Sequence, residues 1–198
     1  MGIFSAFKMS NLRSAKSVRH NGKRVPEILA AHNKFIRGDE TGVRADFSGA
    51  DLSRIDLAGA VLSYVNFQGA NLDGANLRDA RLGSADMSKA RLRRADMRKA
   101  DLTETNLSGA DLTEAQVGGA ELFRANLRDA ILQRADFGAA NFRYADVHGA
   151  DFRGAGLRTT ILRETALDGV DLSGVDLSTT LLPRDYKKPE PAESPKGS

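Results

Sequence analysis

The chain of 198 residues carries 29 Lys and Arg against 26 Asp and Glu, for a formal net charge of +3, with neither cysteine nor tryptophan. That composition excludes disulfides and thiolate metal sites, fits a reducing compartment, and is ordinary for one globular domain. No run of about 18 apolar residues occurs, so no helical membrane span is expected. The charge is uneven: residues 1–44 hold nine basic and three acidic side chains, whereas residues 45–184 hold seventeen and twenty.

Residues 1–25 read as a basic, flexible arm, with Ile3, Phe4 and Phe7 on one helical face ahead of Lys8, Arg13, Lys16, Arg19, Lys23 and Arg24. An apolar patch followed by cations also describes an interfacial anchor on anionic lipid, so both readings stay open. The patch is too short for a secretory signal, and the expected location is cytoplasmic or peripheral at the inner face of the membrane. The stretch "SNLRSA" near Ser10 echoes the repeat described below, but the barrel is not expected to extend there. Residues 26–44 read as a helix and linker. The segment "PEILAAHNKFIR", 26–37, places Ile28, Leu29, His32, Phe35 and Ile36 on one face, with Pro26 at its start and Gly38 as its stop. This helix is expected to lie over the open first coil, with His32 as a hydrogen-bonded cap residue.

From Ala45 the chain divides into fives, "ADFSG ADLSR IDLAG AVLSY VNFQG", without a slip through Arg184, which gives 28 consecutive blocks. The third position is Leu 19 times, Phe five times, Met twice and Val twice; the first is Ala in 20 blocks, and the second is Asp or Asn in 18. On a helix, five residues advance about 500° and would scatter the apolar positions. On a strand, an odd period would send alternate large residues to opposite faces. The pattern is satisfied if the chain turns a corner once per block, so that first and third residues point inward and four blocks close one square coil. Each fully buried Leu or Phe then contributes about 1.5–3 kcal/mol, largely offset by the entropy of ordering its block. One coil cannot shield its own core, so stability comes from stacking.

These blocks, with their A(D/N)LXX pattern over residues 45–184, resemble the pentapeptide-repeat family. The resemblance implies an all-β solenoid, a right-handed quadrilateral β-helix of about seven coils with a short N-terminal capping helix. Members serve many unrelated roles, so the resemblance alone names no function. The best-known relatives resemble double-stranded DNA and occupy the DNA site of gyrase, which makes a gyrase-binding DNA mimic one alternative. Mimicry needs a strongly negative surface, yet Arg78 to Lys99 carries eight basic residues against three acids. In relatives the last coil often carries a hydrophobic dimer contact, which here would fall on Leu181, Leu182 and Pro183. Residues 185–198 are rich in Pro and charge and are expected to be disordered.

No Walker, HExxH or nucleophile-elbow motif occurs, and His20, His32 and His148 lack paired-ligand spacing. An Asp or Asn every five residues suits the corners, where it bonds nearby amides. The expectation is no enzyme, no cofactor and no metal. Function then falls to the outward residues. One face gathers Tyr64, Phe123, Arg124, Arg143, Tyr144, Ile161 and Arg163, aromatic residues beside arginines, which is the composition of a patch for an unidentified protein partner. Stacking sets Arg93 beside Asp73, Arg91 beside Asp111, Arg94 beside Glu114 and Lys99 beside Asp79. It leaves Arg78 and Arg98 as a cationic pair open to an anion or a carboxylate. DNA is not an expected partner, because the basic arm lacks interleaved aromatics. The leading expectation is a non-enzymatic protein–protein interaction module or regulator; a membrane-associated adaptor acting through the arm is an alternative.

Overall fold

The computed structural model describes residues 12–186. Its main body is a coil in which residues 20 apart are paired by parallel bridges: Asp46 with Asn66, Asp51 with Asn71, Asp56 with Asn76 and Val61 with Arg81, continuing along each of four sides. The third-position amide of one coil donates to the second-position carbonyl of the next, as in Phe47 N–H to Asn66 O at 2.7 Å. The second-position amide donates back, as in Asn66 N–H to Ala45 O at 3.1 Å. First and third residues fill the interior: Phe47, Leu52, Phe67, Leu72 and Leu77 are fully buried, and Ala70, Ala75 and Ala80 leave room between them.

The corners have one recurring geometry. The first-position amide bonds the third-position carbonyl of the preceding block (Ala50 N–H to Phe47 O, 3.0 Å), and every fifth position from Gly49 to Gly174 has φ near +60°. A positive φ at the third of four turn residues is the signature of a type II turn, which favours glycine. Gly49 and Gly119 meet that demand without strain, whereas Arg94, Tyr144 and Glu164 adopt the same left-handed conformation with a Cβ. The second-position carboxyl or amide supports the corner by accepting the fourth-position amide, as Asp46 Oδ1 does from Ser48 N–H at 2.9 Å.

The threonines of the inner layer are hydrogen-bonded into it. Thr105, Thr160 and Thr165 are buried, and their hydroxyls donate to Leu82 O, Phe137 O and Phe142 O at 2.9, 2.8 and 2.6 Å. The coil does open after residue 165: bridges continue at Asp151–Asp171 and Ile161–Leu181, but residues 166 and 176 carry none. Leu167, Val170, Leu172, Val175 and Leu177 are only partly buried there and line an open cavity of about 1250 Å³.

The N-terminal segment departs from the sequence expectation. Strand β1 (Arg13–Ser14) pairs in parallel with β4 (Ile55–Asp56), so Arg13 and Ser14 of the stray echo do extend the barrel at one side. Strands β2 (Arg19–His20) and β3 (Lys23–Arg24) form a small antiparallel pair, and Val18 and Val25 are buried in the same core. Residues 12–24 are therefore folded against the barrel rather than forming a free arm. The edge of β4 has unpaired backbone groups that β1 satisfies, which is the physical reason. Ile3, Phe4 and Phe7, and residues 187–198 of the expected tail, lie outside the described residues.

Helix α1 (Val25–Ile36) has Pro26 in its first turn, a capping interaction from Glu27 to the Arg24 amide at 3.1 Å, and Gly38 at φ +76° just past its end. His32 joins it to the first coil. Its Nδ1 accepts from Ala45 N–H at 3.2 Å, its Nε2 bonds Ser63 O at 3.0 Å, and it is fully buried against Phe35. Those partners require the neutral ring with its proton on Nε2. Burial holds the His32 pKa below its ordinary 6.5, the Ser63 bond opposes this, and the Arg44 charge adds to the lowering. The unfolded chain therefore binds a proton more readily, and the His32 contribution is complete above about pH 6.5 and lost as pH falls through the folded value. Urea-unfolding midpoints should fall between about pH 7.5 and about pH 5 in the wild-type chain, and His32→Gln should flatten that slope; equal slopes would remove this role.

Candidate protein-interaction surface

The face built from the blocks at 60, 80, 100 and onward is a continuous ladder, Val61–Arg81–Asp101–Glu121–Asn141–Ile161–Leu181. Residues at the fourth and fifth positions stand beside it. Phe123 and Tyr144 meet edge to face, with centroids 5.5 Å apart and planes at 85°. The Arg124 guanidinium lies 5.2 Å from the Phe123 ring centre and that of Arg143 lies 5.8 Å from Tyr144. Tyr144 is half exposed, because its corner φ of +60° turns the ring outward beside the next coil. Arg143 is held by Glu164 at 2.9 Å and Arg124 faces Glu104 at 3.9 Å. Such cation–ring contacts contribute about 0.5–1 kcal/mol when exposed, so the cluster is ordered by several small terms rather than one.

Of the other expected patch residues, Ile161 is partly buried in the ladder between Asn141 and Leu181, and Arg163 is exposed beside it. Tyr64 is not part of the cluster. It stands on the same face, but Ser84 and Glu104 occupy the corners between it and Arg124, and three coil steps amount to about 14 Å. Its carbonyl instead accepts Arg44 Nε. Leu181 is exposed at the end of the ladder, with Leu182 and Pro183 half-buried behind it.

The expected cationic pair Arg78–Arg98 is also corrected. Arg98 is clamped by its own block: Nε donates to Asp96 Oδ1 at 2.8 Å and Nη2 to Asp96 Oδ2 at 2.5 Å. Arg78 leans to Asp79 at 3.6 Å. The anion foreseen at this pair is thus supplied by the chain itself. Burial tends to raise the Asp96 pKa, but the Arg98 side chain and amide, with the charges of Arg98 and Arg78, hold it below the usual carboxylate range.

The basic stretch 91–99 pairs diagonally more than directly. Arg91 binds Asp73, Arg93 binds Asp111 at 2.6 Å, and only Arg94–Glu114 at 2.7 Å joins neighbours 20 apart. Asp73 Oδ1 already accepts the Arg93 amide at 3.1 Å, which leaves its other oxygen to Arg91. Both Asp73 oxygens are thus taken, one by the Arg93 amide and one by the Arg91 guanidinium. Further along, Glu114 also takes Arg134 at 3.1 Å, and Arg153 holds the Asp151 carboxyl well below its ordinary range. Among the described residues, no group of His, Asp or Glu is placed to hold a metal ion, and no helix is long and apolar enough to cross a membrane.

The family profile described as pentapeptide repeats (8 copies) matches residues 43–79, 75–113 and 120–158. Among solved structures, the chain is similar to HetL, a pentapeptide repeat protein involved in heterocyst differentiation regulation from the cyanobacterium Nostoc sp. strain PCC 7120. That likeness has 28% identity over 70% of this chain and 81% of that one, with a TM-score of 0.42. It is also similar to a pentapeptide repeat protein of the Arabidopsis thaliana thylakoid lumen, at 37% identity over 58% of this chain and 66% of that one, with a TM-score of 0.41. A third likeness is to full-length QnrB1, a plasmid-mediated fluoroquinolone resistance protein, at 25% identity over 66% of this chain and 78% of that one, with a TM-score of 0.28. No curated protein sequence matches the chain.

Because the Asp96 side chain is only 3% exposed, removing the Arg98 guanidinium leaves a buried carboxylate supported by one amide and the more distant Arg78 charge. Arg98→Ala should lower stability by about 1–3 kcal/mol in urea unfolding, whereas Arg124→Ala, which breaks an exposed pair, should change it by less than about 1 kcal/mol.

Proposed function

The chain belongs to the pentapeptide-repeat family, a right-handed β-helical fold, and from that premise we propose that it is a non-enzymatic protein-interaction module or regulator. In this reading, residues 45–184 are a rigid rod of about seven coils, about 34 Å long at about 4.8 Å per coil, and α1 caps its N-terminal end. The partner is held on the face of Phe123, Arg124, Arg143, Tyr144, Ile161 and Arg163. The observation that carries the reading is the edge-to-face Phe123–Tyr144 pair with a guanidinium over each ring. Ordered aromatic and arginine side chains that stay partly exposed are the usual anchors of a protein interface. The proposed location is cytoplasmic, with peripheral membrane contact left to the residues before Leu12.

DNA mimicry finds no support in the surface charges. Arg91, Arg93, Arg94, Arg134 and Arg153 each pair with a carboxylate, so the negative charge is interrupted by cations on those parts of the rod. A second contact is favoured by the C-terminal end, where Leu167, Leu172 and Leu177 remain partly uncovered. We infer that this end, with Leu181, Leu182 and Pro183, meets a second copy of the chain.

Affinity capture with the wild-type chain and with Phe123→Ser plus Tyr144→Ser tests the face. The variant should lose partners that the wild type retains, at unchanged circular dichroism; identical recovery would take the face out of binding. Analytical ultracentrifugation tests the end. The wild type should sediment as a dimer and Leu181→Arg as a monomer, and a wild-type monomer at high concentration would sink the second contact.

A further inference from the structure

We propose that the Phe123–Arg163 face takes a protein segment in which a carboxylate is flanked by large apolar side chains, an inference that rests on the reading of this face as the partner site. Its three arginines are not equivalent. Arg143 is bound to Glu164 at 2.9 Å and Arg124 faces Glu104 at 3.9 Å, so both carry a counter-charge of the chain's own. Arg163 is exposed and has no hydrogen bond or ion pair among the described residues. It stands in the fourth-position column one coil beyond Arg143 and two beyond Phe123, next to Ile161 of its own block. The face therefore presents one uncompensated cation among apolar and aromatic groups.

A partner that covers this patch removes Arg163 from water, and an arginine buried without an anion is strongly unfavourable. The partner must bring a carboxylate to it, and the planar guanidinium accepts one in a two-point contact. Phosphate is a poorer fit for two reasons. Glu104 and Glu164 sit within the same face and repel a polyanion. Arg124 and Arg143 each lie over one face of a ring and the two rings meet edge to face, so bases have little open ring to stack on. What remains available are ring edges and the Ile161 side chain, which suit aliphatic or aromatic side chains.

The spacing gives the motif a length. Phe123 and Arg163 are two coils apart, about 10 Å, which an extended segment running along the barrel axis spans in about three residues. The recognised segment therefore carries a large apolar residue about three positions from an Asp or Glu.

The test is selection of random linear peptides displayed on phage against the full-length protein, followed by fluorescence anisotropy of the recovered sequences. The expected result is enrichment of Asp or Glu near large apolar residues. Replacing that acid by its amide, or Arg163→Gln in the protein, should each weaken binding at least about tenfold. The two changes together should cost little more than either alone, because they remove the same contact. Peptides that lose binding with Phe123→Ser but carry no acid, or ignore Arg163→Gln, overturn this inference and leave the face as a binding site. Peptides indifferent to Phe123→Ser plus Tyr144→Ser and to Arg163→Gln overturn both, as does the recovery of none. Tighter peptide binding by the full chain carrying Glu190→Gln and Glu193→Gln would make the chain's own tail the occupant, and Arg163-dependent binding of a DNA duplex would make the partner a nucleic acid; either result overturns the proposal.

Discussion

A single backbone arrangement, repeated at every corner, governs the rest of this molecule. The fifth residue of each block from Gly49 to Gly174 takes a left-handed φ, the first-position amide closes the turn on the third-position carbonyl, and the ladder to the next coil can then form on all four sides. A left-handed conformation costs a residue with a Cβ about 1–2 kcal/mol. Arg94, Lys99, Tyr144 and Glu164 adopt it because the hydrogen bonds of the adjacent coils over-determine the corner. The reward is geometric: the corner turns the inward pair of every block onto one axis.

That corner also decides what the surface can do. It points the fifth side chain outward from an edge of the rod and fixes the fourth beside it. Phe123 and Arg124 are consecutive, as are Arg143 and Tyr144, so two corners one coil apart bring two rings and two guanidinium groups together without a loop or a pocket. The proposed binding surface is built on the same hydrogen-bonded corners that position the core. Arg124 and Arg143 are held by glutamates from neighbouring coils, and of the three arginines of the cluster Arg163 alone lacks such a partner among the described residues.

The two ends obey a different logic. At the N-terminal end, the unpaired edge at Ile55–Asp56 is taken by Arg13–Ser14, and α1 is tied on through the two ring nitrogens of His32. At the C-terminal end, the inner layer runs out with leucines and valines partly uncovered. The apolar helical face and His32 were readable in the sequence, because helical spacing needs only local information. The pairing of residues 13–14 with 55–56 left a single mark, the stray "SNLRSA" echo, which is one block with no neighbouring repeat to set its register. The basic residues of that segment, which suggest a solvated arm, lie on the outside of a folded one.

Period and composition alone determined the square coil, the inward Ala and Leu layers, the register and the set of outward residues, because a repeat of five has few physical solutions once its third position must be buried. Tertiary structure decided which outward residues act together. Arg93 meets Asp111, while the two Asp73 oxygens are taken by the Arg93 amide and the Arg91 guanidinium. Whether Arg98 is free depends on a carboxylate two residues away folding back beneath it. Tyr64 shares the face of Tyr144 yet stands apart, while Phe123 reaches it. Long side chains choose among several neighbours at similar distance, and those choices turn on ångström-scale geometry that a one-dimensional register does not contain.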